Sequence, residues 1–81
     1  MLNVQEKMEK HGWTFSTFYC YKKTDSFEVD IEFCIGDYCV GAYDENLNLL
    51  EPKIRNETFI QAYLNAIILL EKYGQQTNRA N

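Results

Sequence analysis

Between residues 27 and 35, large apolar side chains alternate with polar ones: Phe27, Val29, Ile31, Phe33 and Ile35 against Glu28, Asp30, Glu32 and Cys34. An extended chain sends successive side chains to opposite faces, whereas a helix would scatter the carboxylates around its surface. The segment therefore predicts a strand with one dry face and one acidic face, as in an antiparallel sheet covered on one side only. A slip of one residue would bury all three carboxylates, so the parity of this strand constrains everything that packs against it.

The flanking segments predict its partners. Trp13, Phe15, Thr17, Tyr19 and Tyr21 alternate with Thr14, Ser16, Phe18 and Cys20, a strand pattern over 13–21, and the polar residues 22–26 read as a turn. Gly36-Asp37 predicts a two-residue hairpin loop with the positive φ on its glycine, and residues 38–43 return as a third strand. That turn would pair Ile35 with Tyr38, Cys34 with Cys39, Phe33 with Val40, Glu32 with Gly41 and Asp30 with Tyr43. Matching apolar faces across the first turn pairs Tyr21 with Phe27, Tyr19 with Val29 and Phe15 with Phe33. Phe18, Asp30 and Tyr43 then share one row on the open face.

Helices are expected on both sides of the sheet in the chain. Asn3 and Glu6 form an N-cap and capping-box pair, with Gly12 as the stop. Asn56 is expected to cap a long helix over 57–73, with Gly74 ending it. Phe59, Tyr63, Ala66, Ile67 and Leu70 make its sheet-facing stripe, and Ile60, Leu64 and Ile68 make a second apolar stripe. Either the first helix covers that second stripe or a second copy of the chain does, as a homodimer interface. In 44–55, Leu47, Leu49, Leu50 and Ile54 suit either a short edge strand or a loop packed on the core, and Pro52 disfavours a central strand. The fold class expected is α+β in α-β-β-β-α order: a three-stranded antiparallel meander with both helices on one face, and with or without a short fourth edge strand. Residues 1–74 form a single domain and 75–81 a flexible tail.

Charge narrows the partners. The 81 residues carry eight Lys and Arg against twelve Asp and Glu, a net charge of -4. Residues 24–52 contain no basic side chain. Phosphate binding needs clustered cations, so direct nucleic-acid binding is not expected. No apolar run reaches the roughly 18 residues of a membrane span, and residues 1–11 hold no signal-peptide apolar stretch. A cytoplasmic location follows, where the three cysteines stay reduced.

The residues offer little catalytic chemistry. His11 is the single histidine and has no nucleophile beside it in sequence. Glu28, Asp30 and Glu32 stand about 6.5–7 Å apart per step along a strand, too far for a compact metal cage. Cys34 and Cys39 are expected to face one another across the hairpin, but Cys20 lies at the far end of the sheet, so a Cys3His zinc site does not close. Asp44, Asn46 and Asn48 imitate the start of a calcium loop, yet Leu49 and Arg55 occupy its glycine and glutamate positions. No catalytic residue, metal or cofactor is expected, and the chain reads as a non-enzyme. Asn56-Glu57-Thr58 matches a glycosylation sequon, which an N-cap explains without glycosylation.

The element order is similar to that of the double-stranded-RNA-binding fold, whose basic cluster before the last helix is replaced here by Lys53-Ile54-Arg55-Asn56-Glu57-Thr58. The chain also resembles small phage and prophage proteins of the phage ABA-sandwich type. The likeness spans residues 4–73: Glu6-Lys7-Met8 and Gly12 around the first helix, an aromatic-rich sheet, and Ala62, Ala66, Leu69 and Leu70 in the last helix. It implies a phage or mobile-element setting, inside the bacterial host, and transfers no site residues.

Together these readings predict a small inhibitor of a host defence or nucleic-acid-processing protein, of anti-CRISPR or anti-defence type. Its partner-binding residues would be Phe18, Glu28, Asp30, Glu32 and Tyr43, set against a cationic surface of the host protein. The alternatives are a dimeric sponge for a nucleotide signal, whose pocket Lys22, Lys23, Lys53 or Arg55 would have to line, and an assembly factor that pairs through Ile60, Leu64 and Ile68.

Overall fold

The computed structural model describes residues 3–79, with side chains described for 3–75. Its order is α1 (Val4–Lys10), β1 (Thr14–Phe15), β2 (Tyr19–Lys23), β3 (Phe27–Cys34), β4 (Asp37–Asp44), β5 (Ile54–Asn56) and α2 (Phe59–Arg79). The class is α+β, with a five-stranded antiparallel meander in the order β1-β2-β3-β4-β5 rather than three strands. The expected first strand is two: Ser16, Thr17 and Phe18 bend the chain, and Ser16 N–H donates to Tyr19 C=O at 2.8 Å. The edge strand left open over 44–55 forms as β5, pairing Val40 with Ile54 and Cys39 with Arg55.

Strand β3 has the parity its alternation demands. Phe27, Val29 and Ile31 are buried with Val40, Ala42, Ala62, Ala66 and Leu69, while Phe33, Tyr38, Phe59 and Tyr63 pack around them. The helices lie on this face. At about 25 cal/mol per Å² of apolar surface removed from water, this cluster is the main source of stability in so short a chain.

Two registers differ from expectation. The β3–β4 hairpin pairs Phe33 with Tyr38, Ile31 with Val40, Asp30 with Gly41 and Glu28 with Tyr43, a two-residue slip that preserves parity. Ile35 and Gly36 form the loop, so Ile35 is fully exposed and not in the core. Gly36 carries the positive φ, 84°, at the second loop position, the type II arrangement rather than II′. Cys34 and Cys39 are therefore diagonal neighbours, because Cys34 pairs with Asp37 and Cys39 with Glu32.

The β2–β3 ladder pairs Cys20 with Ile31, Tyr21 with Asp30 and Tyr19 with Glu32, which reverses the parity of β2. Cys20 is buried and Tyr19 and Tyr21 stand on the open face, stacked with ring centroids 5.7 Å apart. The bend at 16–18 causes the reversal. It folds Phe15 across from Cys20, so the aromatic on the covered face is followed by a thiol there, not by the tyrosines.

Helix α1 starts as expected, with Asn3 Oδ1 accepting from Glu6 N–H at 2.8 Å. Its end is a Schellman motif. Trp13 N–H donates to Met8 C=O and Gly12 N–H to Glu9 C=O, both at 3.1 Å, with Gly12 at φ 93°. The same turn buries Met8 and Trp13 side by side in the core.

The cap of α2 is Thr58, whose Oγ1 accepts from Gln61 N–H at 3.2 Å. Asn56 does not cap it. It is buried at the end of β5, donating to Ile54 C=O at 3.1 Å and accepting from Asn65 Nδ2 at 2.6 Å. Gly74 does not end the helix, which continues to Arg79, so 75–79 are helical rather than the expected tail, and 80–81 lie outside the described residues. Internal hydrogen bonding continues through a glycine at a cost of only about 1 kcal/mol. Among the described residues α1 packs beside β1 and its backbone does not approach that of α2, and Ile60, Leu64 and Ile68 remain more than half exposed.

Candidate functional site: the open face of the sheet

The face opposite the helices carries Glu28, Asp30 and Glu32 from β3, Tyr19 and Tyr21 from β2, and Cys39, Gly41 and Tyr43 from β4. The chain after β4 then wraps the sheet edge. Asp44 Oδ1 accepts from Asn46 and Asn48 N–H, both at 2.9 Å, a tight turn that holds Leu47 at φ 64°. These backbone donors, Asn48 first, hold the Asp44 carboxyl below its usual range. Further on, Glu51 accepts from Lys72 Nζ at 2.7 Å and from Tyr73 OH at 2.5 Å, which pins the segment to α2 and lowers the Glu51 pKa.

From that anchorage Lys53 reaches the open face, where its ammonium hydrogen-bonds the Glu32 carboxylate and lies 6.0 Å from the centroid of the Tyr43 ring. The bond to Glu32 raises the Lys53 pKa, with Tyr43 adding to it. Tyr43 lies flat because the neighbour on its strand is Gly41: a Cβ there would come within 3.2 Å of the tyrosine ring. Tyr19, Glu28, Asp30, Glu32, Tyr43, Leu47 and Lys53 enclose an open pocket of about 390 Å³.

Asp30 sits in the middle of the carboxylate row. Its Oδ1 is buried and has no hydrogen-bond partner among the described residues. Burial, then the Glu28 carboxyl beside it, then the charge of Glu32, push its pKa up to about 8, against a smaller opposing pull from Lys53. Loss of hydration disfavours the anion, and like charges on one strand face add to that. The acidic face is consequently less charged at neutral pH than its composition implies, and it carries a buried polar atom, Asp30 Oδ1, without a partner among the described residues.

The structure brings four of the five expected partner-binding residues together: Glu28, Asp30, Glu32 and Tyr43. Phe18 is not among them. It projects from the bend before β2, 74% exposed, and the row across the sheet at Asp30 is Tyr21–Asp30–Gly41 instead of Phe18–Asp30–Tyr43. Tyr19 and Lys53 also line this face, although the sequence pattern places Tyr19 on the covered side and offers Lys53 only for a nucleotide pocket; a lysine 21 residues from Glu32 leaves no local signal of their pairing. The third cysteine, Cys20, is sealed in the core, where burial and then Asp30 push its thiol up to about 12. No helix among the described residues is long and apolar enough to cross a membrane. Comparison of the chain with protein-family models, with curated proteins and with solved structures found no match.

Proposed function

We propose that this chain is a non-enzymatic binding protein that receives cationic side chains of a partner protein in the Tyr19–Glu28–Asp30–Tyr43 pocket. Seated on a cationic, nucleic-acid-binding surface, it would exclude the nucleic acid, which is the action of an anti-defence or anti-CRISPR inhibitor of phage or mobile-element origin. The observation that carries the reading is Lys53: the face already holds one ammonium between a carboxylate and an aromatic ring. A second cation beside it would satisfy Asp30 Oδ1 and pair with Glu28, while the exposed Tyr19 and Leu47 supply apolar walls that a seated partner would desolvate.

The test is titration with an arginine- and lysine-rich peptide at physiological salt, read by calorimetry. The native chain is expected to bind it, and Glu28→Lys combined with Asp30→Lys to abolish binding with the circular dichroism spectrum unchanged. Equal affinity of the two proteins sinks the proposal. The exposed stripe of Ile60, Leu64 and Ile68 on α2 favours a second reading, self-association as a homodimer. Light scattering separates the two: a dimer mass that Leu64→Glu halves supports pairing through α2, and a monomer mass for the native chain excludes it.

A further inference from the structure

At the far end of the same face, the β3–β4 hairpin gathers Cys34, Asp37 and Cys39 with one ligand atom of each within 4.8 Å of the others. We propose that these three side chains form a zinc site with an open fourth position. The proposal is independent of the cationic pocket.

The spacing of the two sulfurs is the first argument. They lie 3.9 Å apart. Two Zn–S bonds of about 2.3 Å at a tetrahedral angle place the sulfurs about 3.8 Å apart. A disulfide suits this hairpin less well. Diagonal neighbours on adjacent strands have Cα atoms about 7–8 Å apart, beyond the usual span of about 4.4–6.8 Å.

The backbone supplies preorganisation. All three ligands fall within six consecutive residues on one face of a hairpin whose loop, Ile35-Gly36, is closed by the Cys34–Asp37 pair. The Asp37 carboxylate is oriented from outside by Arg55, whose Nε lies 3.1 Å from Oδ2. That is the outer-shell hydrogen bond that metal-binding carboxylates ordinarily carry, and it leaves the other carboxylate oxygen without that partner. Glu32, the next carboxylate on this face, is held by Lys53, so the fourth position falls to water.

Chemistry selects the metal class. Two thiolates with one carboxylate suit Zn²⁺, whereas an oxygen ligand is a poor match for Cu(I) and sulfur ligands for Mg²⁺ or Ca²⁺. Zn²⁺ would displace one proton from each thiol, so two protons leave for each ion bound. Neither thiol belongs to the packed core, since Cys34 is exposed and Cys39 half-buried. Cys20, sealed away on the other face, takes no part.

The test is equilibrium dialysis of the full chain against Zn²⁺ with a non-coordinating reductant, alongside Co²⁺ titration followed by sulfur-to-cobalt charge-transfer absorption. One ion per chain is expected, with two protons released and a higher melting temperature in the presence of zinc. Cys34→Ser with Cys39→Ser should remove binding and the charge-transfer band. Asp37→Asn should weaken binding at least about tenfold while keeping the band. The metal-free melting temperatures of these variants should stay close to that of the native chain, since none of the three side chains belongs to the packed core. Absence of binding at about 100 µM zinc, retention of zinc by the double serine variant, or half an ion per chain each overturns the proposal.

Discussion

Tyr43 lies across the position where any residue but glycine at 41 would carry its Cβ, with the ring's hydroxyl and Cε1 each 3.2 Å from that point. This pair shapes the open pocket, because the ring that forms its wall and faces Lys53 can lie flat only above a bare backbone. Gly41→Ala should lift the ring by a few tenths of an ångström. Stability should change by less than about 1 kcal/mol, since the lost backbone freedom of glycine offsets the crowding. Affinity for the cationic peptide should fall several-fold in the same calorimetric titration, and an unchanged affinity would show that Tyr43 is no part of the receptor.

The Asn56–Asn65 bond joins β5 to α2 through a buried side chain. Asn56→Ala removes the acceptor for Asn65 and two donors to backbone carbonyls at once. Leaving buried polar groups unsatisfied costs about 1–3 kcal/mol each. Urea unfolding should show a loss of about 2 kcal/mol or more, with the m-value retained. A loss below about 0.5 kcal/mol would mean the bond contributes nothing.

Asp30 makes the fold less stable as pH rises through neutrality. Its folded pKa, about 8, lies above the ordinary carboxyl value of 3.8, so the folded state keeps a proton that the unfolded chain gives up. Stability from this group therefore falls as pH rises from about 4 to 8 and levels off above that. Asp44 and Glu51 act in the opposite sense. Their pKa values are lowered, so their contributions are present above the ordinary carboxyl range and fade as pH falls through it. Thermal melts across pH should peak on the acidic side of neutrality. Asp30→Asn should remove most of the decline between pH 5 and 9, raising the melting temperature by several degrees at the upper end. An Asp30→Asn profile parallel to the native one would refute the assignment.

Met8 and Trp13 dock α1 through the Schellman turn at Gly12. Met8→Ala should cost about 2–5 kcal/mol by leaving a cavity under the helix. Gly12→Ala should cost about 1 kcal/mol, because φ of 93° is strained for any L side chain and the new Cβ meets Lys22 Cε at 3.4 Å. Hydrogen exchange should show α1 amides losing protection in both variants while β3 retains it, and uniform loss would contradict separate docking.

Some of this was legible in the chain itself. The alternation over Phe27 to Phe33 dictated which face of β3 is buried, because a period of two admits only one dry side. The Asn3 cap and the Gly12 stop follow equally from local geometry, as do Phe59, Tyr63, Ala66 and Leu70 of the expected stripe. Ile67, also expected there, is not packed on the core, which Ala62 and Leu69 enter instead. Glu28, Asp30, Glu32 and Tyr43 were recognisable as neighbours on the open face for the same reason.

Tertiary structure alone decided the rest. The face of β2 depends on a bend of three residues, and Tyr19, Tyr21 and Cys20 are each acceptable on either side until Ile31 selects the thiol. The β3–β4 slip of two leaves every side chain on its expected face, so no pattern of polarity could reveal it. It is nonetheless what carries Asp37 to Cys34 and sets Cys39 diagonally beside them. Lys53 meets Glu32, and Asn56 meets Asn65 rather than the helix end, because the wrap of residues 44–53 and the docking of α2 bring distant parts of the chain together. Local periodicity reports which way a side chain faces, whereas only packing determines which neighbour it finds there.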